Sequence, residues 1–132
     1  MNYRTILIDE FKKDAKKLLK KYASLRNELA ELEQQLLENP KIGTLISKNT
    51  YKIRLAVKSK GKGKRGGLRV ITHIIEVLID ILEKDEAKNT EDETLIVLVA
   101  IYDKSEMENI SESYLQDIIS EINDKLDKEE NE

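Results

Sequence analysis

The chain has 132 residues, one histidine and no cysteine, and 37% of its residues are charged for a formal net charge of −3. That length suits a single domain, read as residues 1–127, with an acidic tail at 128–132 expected to fray. The absence of cysteine excludes disulfide and thiolate chemistry and fits a reducing, cytoplasmic location.

The net charge hides an asymmetry. Residues 1–75 hold 18 Lys/Arg against 7 Asp/Glu, a net of +11, and residues 76–132 hold 5 against 19, a net of −14. A split of this kind points to a polyanion-binding first half, with the acidic half either solubilising or modulating it. No apolar run approaches the ~18 residues of a membrane span. The opening MNYRTILIDEF meets an acidic pair too early to read as a signal peptide.

Tyr3–Ile8 is short and partly β-branched and reads as a first strand. Asp9 is a candidate helix cap. Phe11, Ala15, Leu18, Leu19 and Tyr22 then recur at helical spacing, and Lys12, Lys13, Lys16, Lys17, Lys20 and Lys21 form the opposite, solvated face. Ser24 is a second candidate cap, and Leu25, Leu29, Leu32 and Leu36 form a second stripe. This helix is expected to stop at Asn39, since Pro40 disfavours the α conformation before it. A helical hairpin follows from the short break at Ala23–Ser24, and Lys41–Asn49 reads as a linker.

From Tyr51 the pattern alternates. Tyr51, Ile53, Leu55 and Val57 share one face of a strand, and Lys52, Arg54, Ala56 and Lys58 share the other. Ser59–Gly67 (SKGKGKRGG) has four glycines and no apolar residue, and it is expected to be poorly ordered without a bound polyanion. Leu68–Ile75 returns to an apolar, β-branched run, which makes a hairpin with a basic tip. Lys52, Arg54, Lys58, Lys60, Lys62, Lys64, Arg65 and Arg69 are uninterrupted by any Asp or Glu. Glycines let backbone N–H groups approach phosphates, and the cations neutralise them.

Glu76–Leu82 fits either a strand extension or a helix, and Glu83–Glu93 reads as a polar loop. Thr94–Ile101 (TLIVLVAI) reads as a buried central strand. Ser113 and Gln116 form a possible capping box, and Leu115, Ile118, Ile119, Ile122 and Leu126 are the stripe of a last helix. The expected class is α+β, with a helical hairpin on a three- to four-stranded, largely antiparallel sheet and a C-terminal helix.

Several chemistries fail on inspection. Gly61-x-Gly63-x-x-Gly66 matches the dinucleotide fingerprint in letters, but a strand rather than a helix follows it. No Gly-Lys-Ser/Thr closes a phosphate loop. One histidine and no cysteine make zinc a poor fit, so no metal or other cofactor is expected. His73 lies on the strand face of Arg69, Ile71 and Ile75 and reads as a structural or rim residue. What remains is RNA chemistry, in which the substrate's 2′-OH is the nucleophile and the protein supplies orientation and charge.

The string YKIRLAVKSKGKGKRGGLRVI, the later IYDKSEMENIS and the preceding LLENPKIGTL resemble the RelE/ParE superfamily of toxins, most closely its HigB-like branch. That resemblance spans about Phe11 to Ile119. It implies the toxin of a type II toxin–antitoxin pair, held by a cognate antitoxin, which cuts mRNA on the ribosome. Lys52, Arg54, Arg69, Tyr102 and Lys104 then stand where relatives place catalytic residues, and Lys58, Lys60, Lys62, Lys64 and Arg65 would contact RNA. Ser105 departs from the basic residue that RelE relatives carry there. The other readings are a ParE-like gyrase inhibitor and an RNA- or antitoxin-binding homologue without catalysis.

Overall fold

The computed structural model describes residues 2–60, 67–80, 90–106 and 110–130, with side chains throughout these except at 77–80, 90–92 and 126–130. The order is β1 (Asn2–Leu7), α1 (Asp9–Lys21), α2 (Leu25–Glu38), β2 (Thr44–Ser47), β3 (Thr50–Leu55), a 3-10 turn (Lys58–Lys60), β4 (Leu68–Asp80), β5 (Thr90–Asp103) and α3 (Glu112–Glu130). The class is α+β, as expected. The strands form one five-stranded sheet in the order β1-β5-β4-β3-β2.

Two features correct the strand count. Part of the segment read as a linker, Thr44–Ser47, pairs antiparallel with β3 as an edge strand. At the other edge β1 runs parallel to β5, with Asn2 opposite Glu93 and Leu7 opposite Leu98. The first strand is legible in its own pattern, whereas β2 owes its state to its neighbour β3. A strand this short is held by ladder hydrogen bonds and packing, which local propensity does not report. The three predicted strands β3, β4 and β5 are adjacent and antiparallel. The ambiguous run from Glu76 continues β4 to Asp80, and Thr90–Glu93, read as loop, belongs to β5 opposite it. Residues 81–82 of the ambiguous run and 83–89 of the predicted loop lie outside the described residues.

Each sheet face has its own core. Phe11, Ala15, Leu18 and Tyr22 of α1, with Leu25, Leu32 and Leu36 of α2, pack on Ile53, Leu68, Val70, Ile96, Leu98 and Ile101. The other face carries Ile71, Leu95, Val97, Val99, Ala100 and Tyr102 under Leu115 and Ile118 of α3. Leu29 is only half-buried at the margin of the first core. Helix α3 runs to Glu130, into the stretch read as a frayed tail.

The helix starts differ in detail from expectation. Asp9 is the first helical residue after Ile8 and makes no side-chain cap; with Glu10 it instead places negative charge on the first turn of α1, where the helix dipole favours it. Ser24 precedes α2, but its hydroxyl donates to Glu28 Oε1 at 3.0 Å rather than capping. The cap of α3 is Ser111, not Ser113: Tyr114 N–H donates to Ser111 Oγ at 3.1 Å.

Gly43 joins α2 to β2 at φ +100°, a conformation side chains rarely adopt, and a Cβ there would meet Lys52 O at 2.6 Å and Ile53 Cγ1 at 2.9 Å. Gly43→Ala is therefore expected to destabilise by more than about 1 kcal/mol. Chemical denaturation of the two proteins is the check, and equal midpoints would contradict the close approach.

Candidate polyanion-binding face

The register brings together residues far apart in the chain. Lys52 of β3 stands opposite Ile71 of β4, and Arg54 stands opposite Arg69. Arg69 in turn stands opposite Tyr102 of β5. Directly opposed residues share a sheet face, so Arg54, Arg69 and Tyr102 form one cross-strand row on the α3 side. Lys52 lies beside it.

A bulge on β5 decides that Tyr102 joins this row. Ile71 pairs with Ala100 but Thr72 pairs with Leu98, which leaves Val99 as an extra residue. Strict alternation from Leu95, Val97 and Val99 would put Ile101 on the α3 side and Tyr102 opposite. The extra residue shifts the phase, as bulges do. Ile101 goes to the α1/α2 core and Tyr102 to the α3 side.

Exposure within the row is graded. Arg54 is exposed and Lys52 half-buried, whereas Arg69 is 3% and Tyr102 7% exposed. Arg69 Nη1 donates to Leu68 O at 3.2 Å. Burial pushes the Tyr102 phenol pKa up, while the Ile110 backbone and the Arg69 charge pull the other way. Among the described residues its Oη makes no hydrogen bond of normal geometry. The register places two cationic side chains directly opposite each other, an arrangement that concentrates positive charge on this part of the face. Lys104 is exposed in the turn after β5.

The basic loop divides. Lys62, Lys64 and Arg65 lie outside the described residues. The near end of Ser59–Gly67, expected to be poorly ordered, is held. Ser59 N–H donates to Ser24 Oγ at 2.9 Å, and Lys58 N–H donates to Glu28 Oε2 at 2.7 Å. Lys58 itself is exposed. Lys60, expected to contact RNA, turns its ammonium inward to Asp103 Oδ1 at 3.1 Å. The physical reason is Asp103, a carboxylate 2% exposed that needs a counter-charge.

Asp103 is a residue the sequence reading missed. Tyr22 Oη donates to its Oδ2 at 2.7 Å, and Ser105 N–H and Oγ donate to Oδ1 at 2.9 and 2.8 Å. Burial alone would raise the carboxyl pKa, but the Tyr22 hydroxyl, Ser105 and Lys60 outweigh it and hold the group well below the usual carboxylate range. The same bond raises the Tyr22 phenol. The available signal was Asp103-x-Ser105 at a strand end, a pattern that closes turns by side-chain-to-backbone bonding. Tyr22 showed only its apolar body in the helix stripe.

His73 lies two residues beyond Ile71 on the row's face. It is 7% exposed, with Nδ1 2.9 Å from Thr50 Oγ1. Burial lowers its pKa from the ordinary 6.5. The fold therefore holds it neutral, and the unfolded chain protonates first on acidification. Its stabilisation is complete above 6.5 and is lost as pH falls through the lowered folded value. The thermal midpoint is expected to drop as pH falls below the ordinary 6.5, and His73→Gln is expected to flatten that slope. An equal slope in both proteins would remove His73 as the cause.

A groove of about 620 Å³ runs along the β3 edge beyond β2, where Lys52 and Arg54 stand near Glu28 and Glu31 of α2. Among the described residues no group of three or more His, Cys, Asp or Glu could hold a metal ion. No helix among them is long and apolar enough to cross a membrane. No family model matches the chain.

Proposed function

We propose that this chain is the toxin of a type II toxin–antitoxin module, of the RelE/ParE type and closest to the HigB-like branch, and that it cuts mRNA on the ribosome. One observation carries the reading: Arg54, Arg69 and Tyr102, three residues that the resemblance singles out, come from three strands into one row. In this reaction the RNA 2′-OH attacks the adjacent phosphorus and the 5′ oxygen leaves. The row supplies positive charge where the equatorial oxygens become more negative. Lys52 and Arg54, at the more open end, bind the strand, and an acidic segment of a cognate antitoxin covers the same cations when the toxin is held inactive.

The burial of Arg69 and Tyr102 supports a second reading, an RNA- or antitoxin-binding homologue without catalysis, in which only Lys52 and Arg54 meet phosphate. Mapping mRNA 5′ ends after brief induction separates the two. Ribosome-dependent cuts support the toxin reading. Translation that continues unbroken while the protein still binds RNA supports the second. Filamentation with intact mRNA points to gyrase instead. In either RNA reading, Lys52→Ala is expected to weaken RNA binding across sequences and reduce the salt slope by about 0.7 to 0.9.

A further inference from the structure

A second recess lies on the same sheet face, at the other end of the β3–β4 ladder. It has a volume of about 510 Å³, within the size range of small-molecule sites, and lies between the β2–β3 turn, β4 and α3. His73, the apolar Ile75 and Ile119, and the polar Lys48, Glu76, Gln116 and Asn123 are among its lining residues.

The hydrogen bonds around His73 determine its tautomer. Thr50 Oγ1 donates its one proton to Lys48 O at 2.9 Å. It must therefore accept from His73 Nδ1, 2.9 Å away. In the neutral ring, Nε2 is then a lone-pair acceptor. Among the described residues no hydrogen bond is made to Nε2, although the residue is 7% exposed. Nε2 is not among the fully buried atoms left without a partner, so its lone pair stays accessible and can accept from a ligand in place of water.

We propose that this recess binds the base of a nucleotide, with a base N–H donating to His73 Nε2, the side-chain amides of Gln116 and Asn123 reading the neighbouring edge atoms, and Lys48 meeting the phosphate. The apolar side chains of Ile75 and Ile119 accommodate a flat ring. A non-aromatic acid would leave Nε2 facing another acceptor, and an apolar ligand would leave it unsatisfied. His73 is four residues from Arg69 along β4, about 13 Å at the rise of a strand. A single-stranded RNA held at Arg54 and Arg69 can therefore place a second nucleotide here, and a free mononucleotide has the same chemistry. The RNA source rests on the proposed function; the recess itself does not.

The test is an NMR titration of the intact chain with AMP, CMP, GMP and UMP, then with purine riboside 5′-monophosphate, whose base has no N–H donor. Shifts in the Gln116 and Asn123 side-chain amides are expected with at least one natural nucleotide, and about tenfold weaker binding when the donor is missing. Gln116→Ala and Asn123→Ala replace exposed helix residues, so the fold is kept. Each is expected to weaken the preferred nucleotide several-fold and to shrink the spread among the four. Single-stranded hexaribonucleotides form the second arm. If they bind through Lys52 and Arg54 and the same amides shift, the source is an RNA strand; if only mononucleotides shift them, the source is a free nucleotide. Amides that respond to none of these, or equal affinity for AMP and its donor-free analogue, overturn the inference. Loss of hexamer binding alone counts against the proposed function and leaves the recess standing.

Discussion

Arg69→Ala is expected to lower cleavage of ribosome-bound mRNA by about a hundredfold to a thousandfold, the usual effect of removing one transition-state charge contact. The residue sits on β4, which is paired on both sides, so its backbone is held by β3 and β5. Its guanidinium is a planar fork that can meet two oxygens of one phosphate, which an ammonium cannot. Arg69→Lys therefore separates the effects of charge and geometry. It keeps the charge and is expected to recover only a small part of the rate. Arg54→Ala, at an exposed position, is expected to show an intermediate loss. Tyr102→Phe is expected to stay near the parent, because its phenol is buried and pushed toward the protonated form. Arg69 is buried, so each variant needs a thermal melt beside its cleavage assay. A folded Arg69→Ala protein that cuts like the parent would end the charge-stabilisation account. A parent that cuts nothing on programmed ribosomes would leave the binding-only reading.

The largest stability effect is expected at Asp103. Asp103→Ala removes the acceptor of the Tyr22 hydroxyl, the Lys60 ammonium and two Ser105 donors together. The side chains of Lys60 and Asp103 are 10% and 1% exposed, so the substitution removes a carboxylate from an ion pair that is largely out of water. Breaking a buried pair on one side typically costs about 3–5 kcal/mol. Tyr22→Phe removes one hydrogen bond to a charged group and is expected to cost about 1.5–3 kcal/mol. A Tyr22→Phe, Asp103→Ala double variant is expected to be less destabilised than the sum, because the two share a contact. The pH dependence has a definite sign. The folded carboxyl titrates below its ordinary 3.8, so the stabilisation is complete above that value and is lost as pH falls through the lower folded value. Denaturant melts across that acid range should show the parent losing stability faster than Asp103→Asn. A Asp103→Ala protein as stable as the parent would contradict the node.

This node also bears on the proposed site. Asp103 follows Tyr102 and stands opposite Leu68, the neighbour of Arg69. Its bonds tie the end of β5 to α1 through Tyr22 and to the entry of the basic loop through Lys60. The lysine at the loop entry thus neutralises a buried carboxylate.

Much of the architecture was legible in the residues. The 3.6-residue stripes from Phe11 and from Leu25 specified two helices, because only that period places those side chains on one core face. The alternation of Tyr51–Val57, the glycine-rich tip and the β-branched run from Leu68 specified a hairpin, because its ladder is local. The cation excess near Lys52–Arg69 was also plain, since charge is read directly from composition. Strand β2 and the parallel pairing of β1 were not legible: their hydrogen-bond partners are supplied by the assembled sheet, β5 standing some ninety positions beyond β1. The candidate site was legible as a set of residues but not as a geometry. Alternation along TLIVLVAIY places Tyr102 on the wrong face, and only the extra residue at Val99, accommodated against β4, turns it toward Arg69. Likewise, sequence counts Lys60 among eight equivalent cations. Folding buries Asp103, and a buried carboxylate in a low-dielectric interior needs a counter-charge, so the tertiary structure alone decided that Lys60 turns inward.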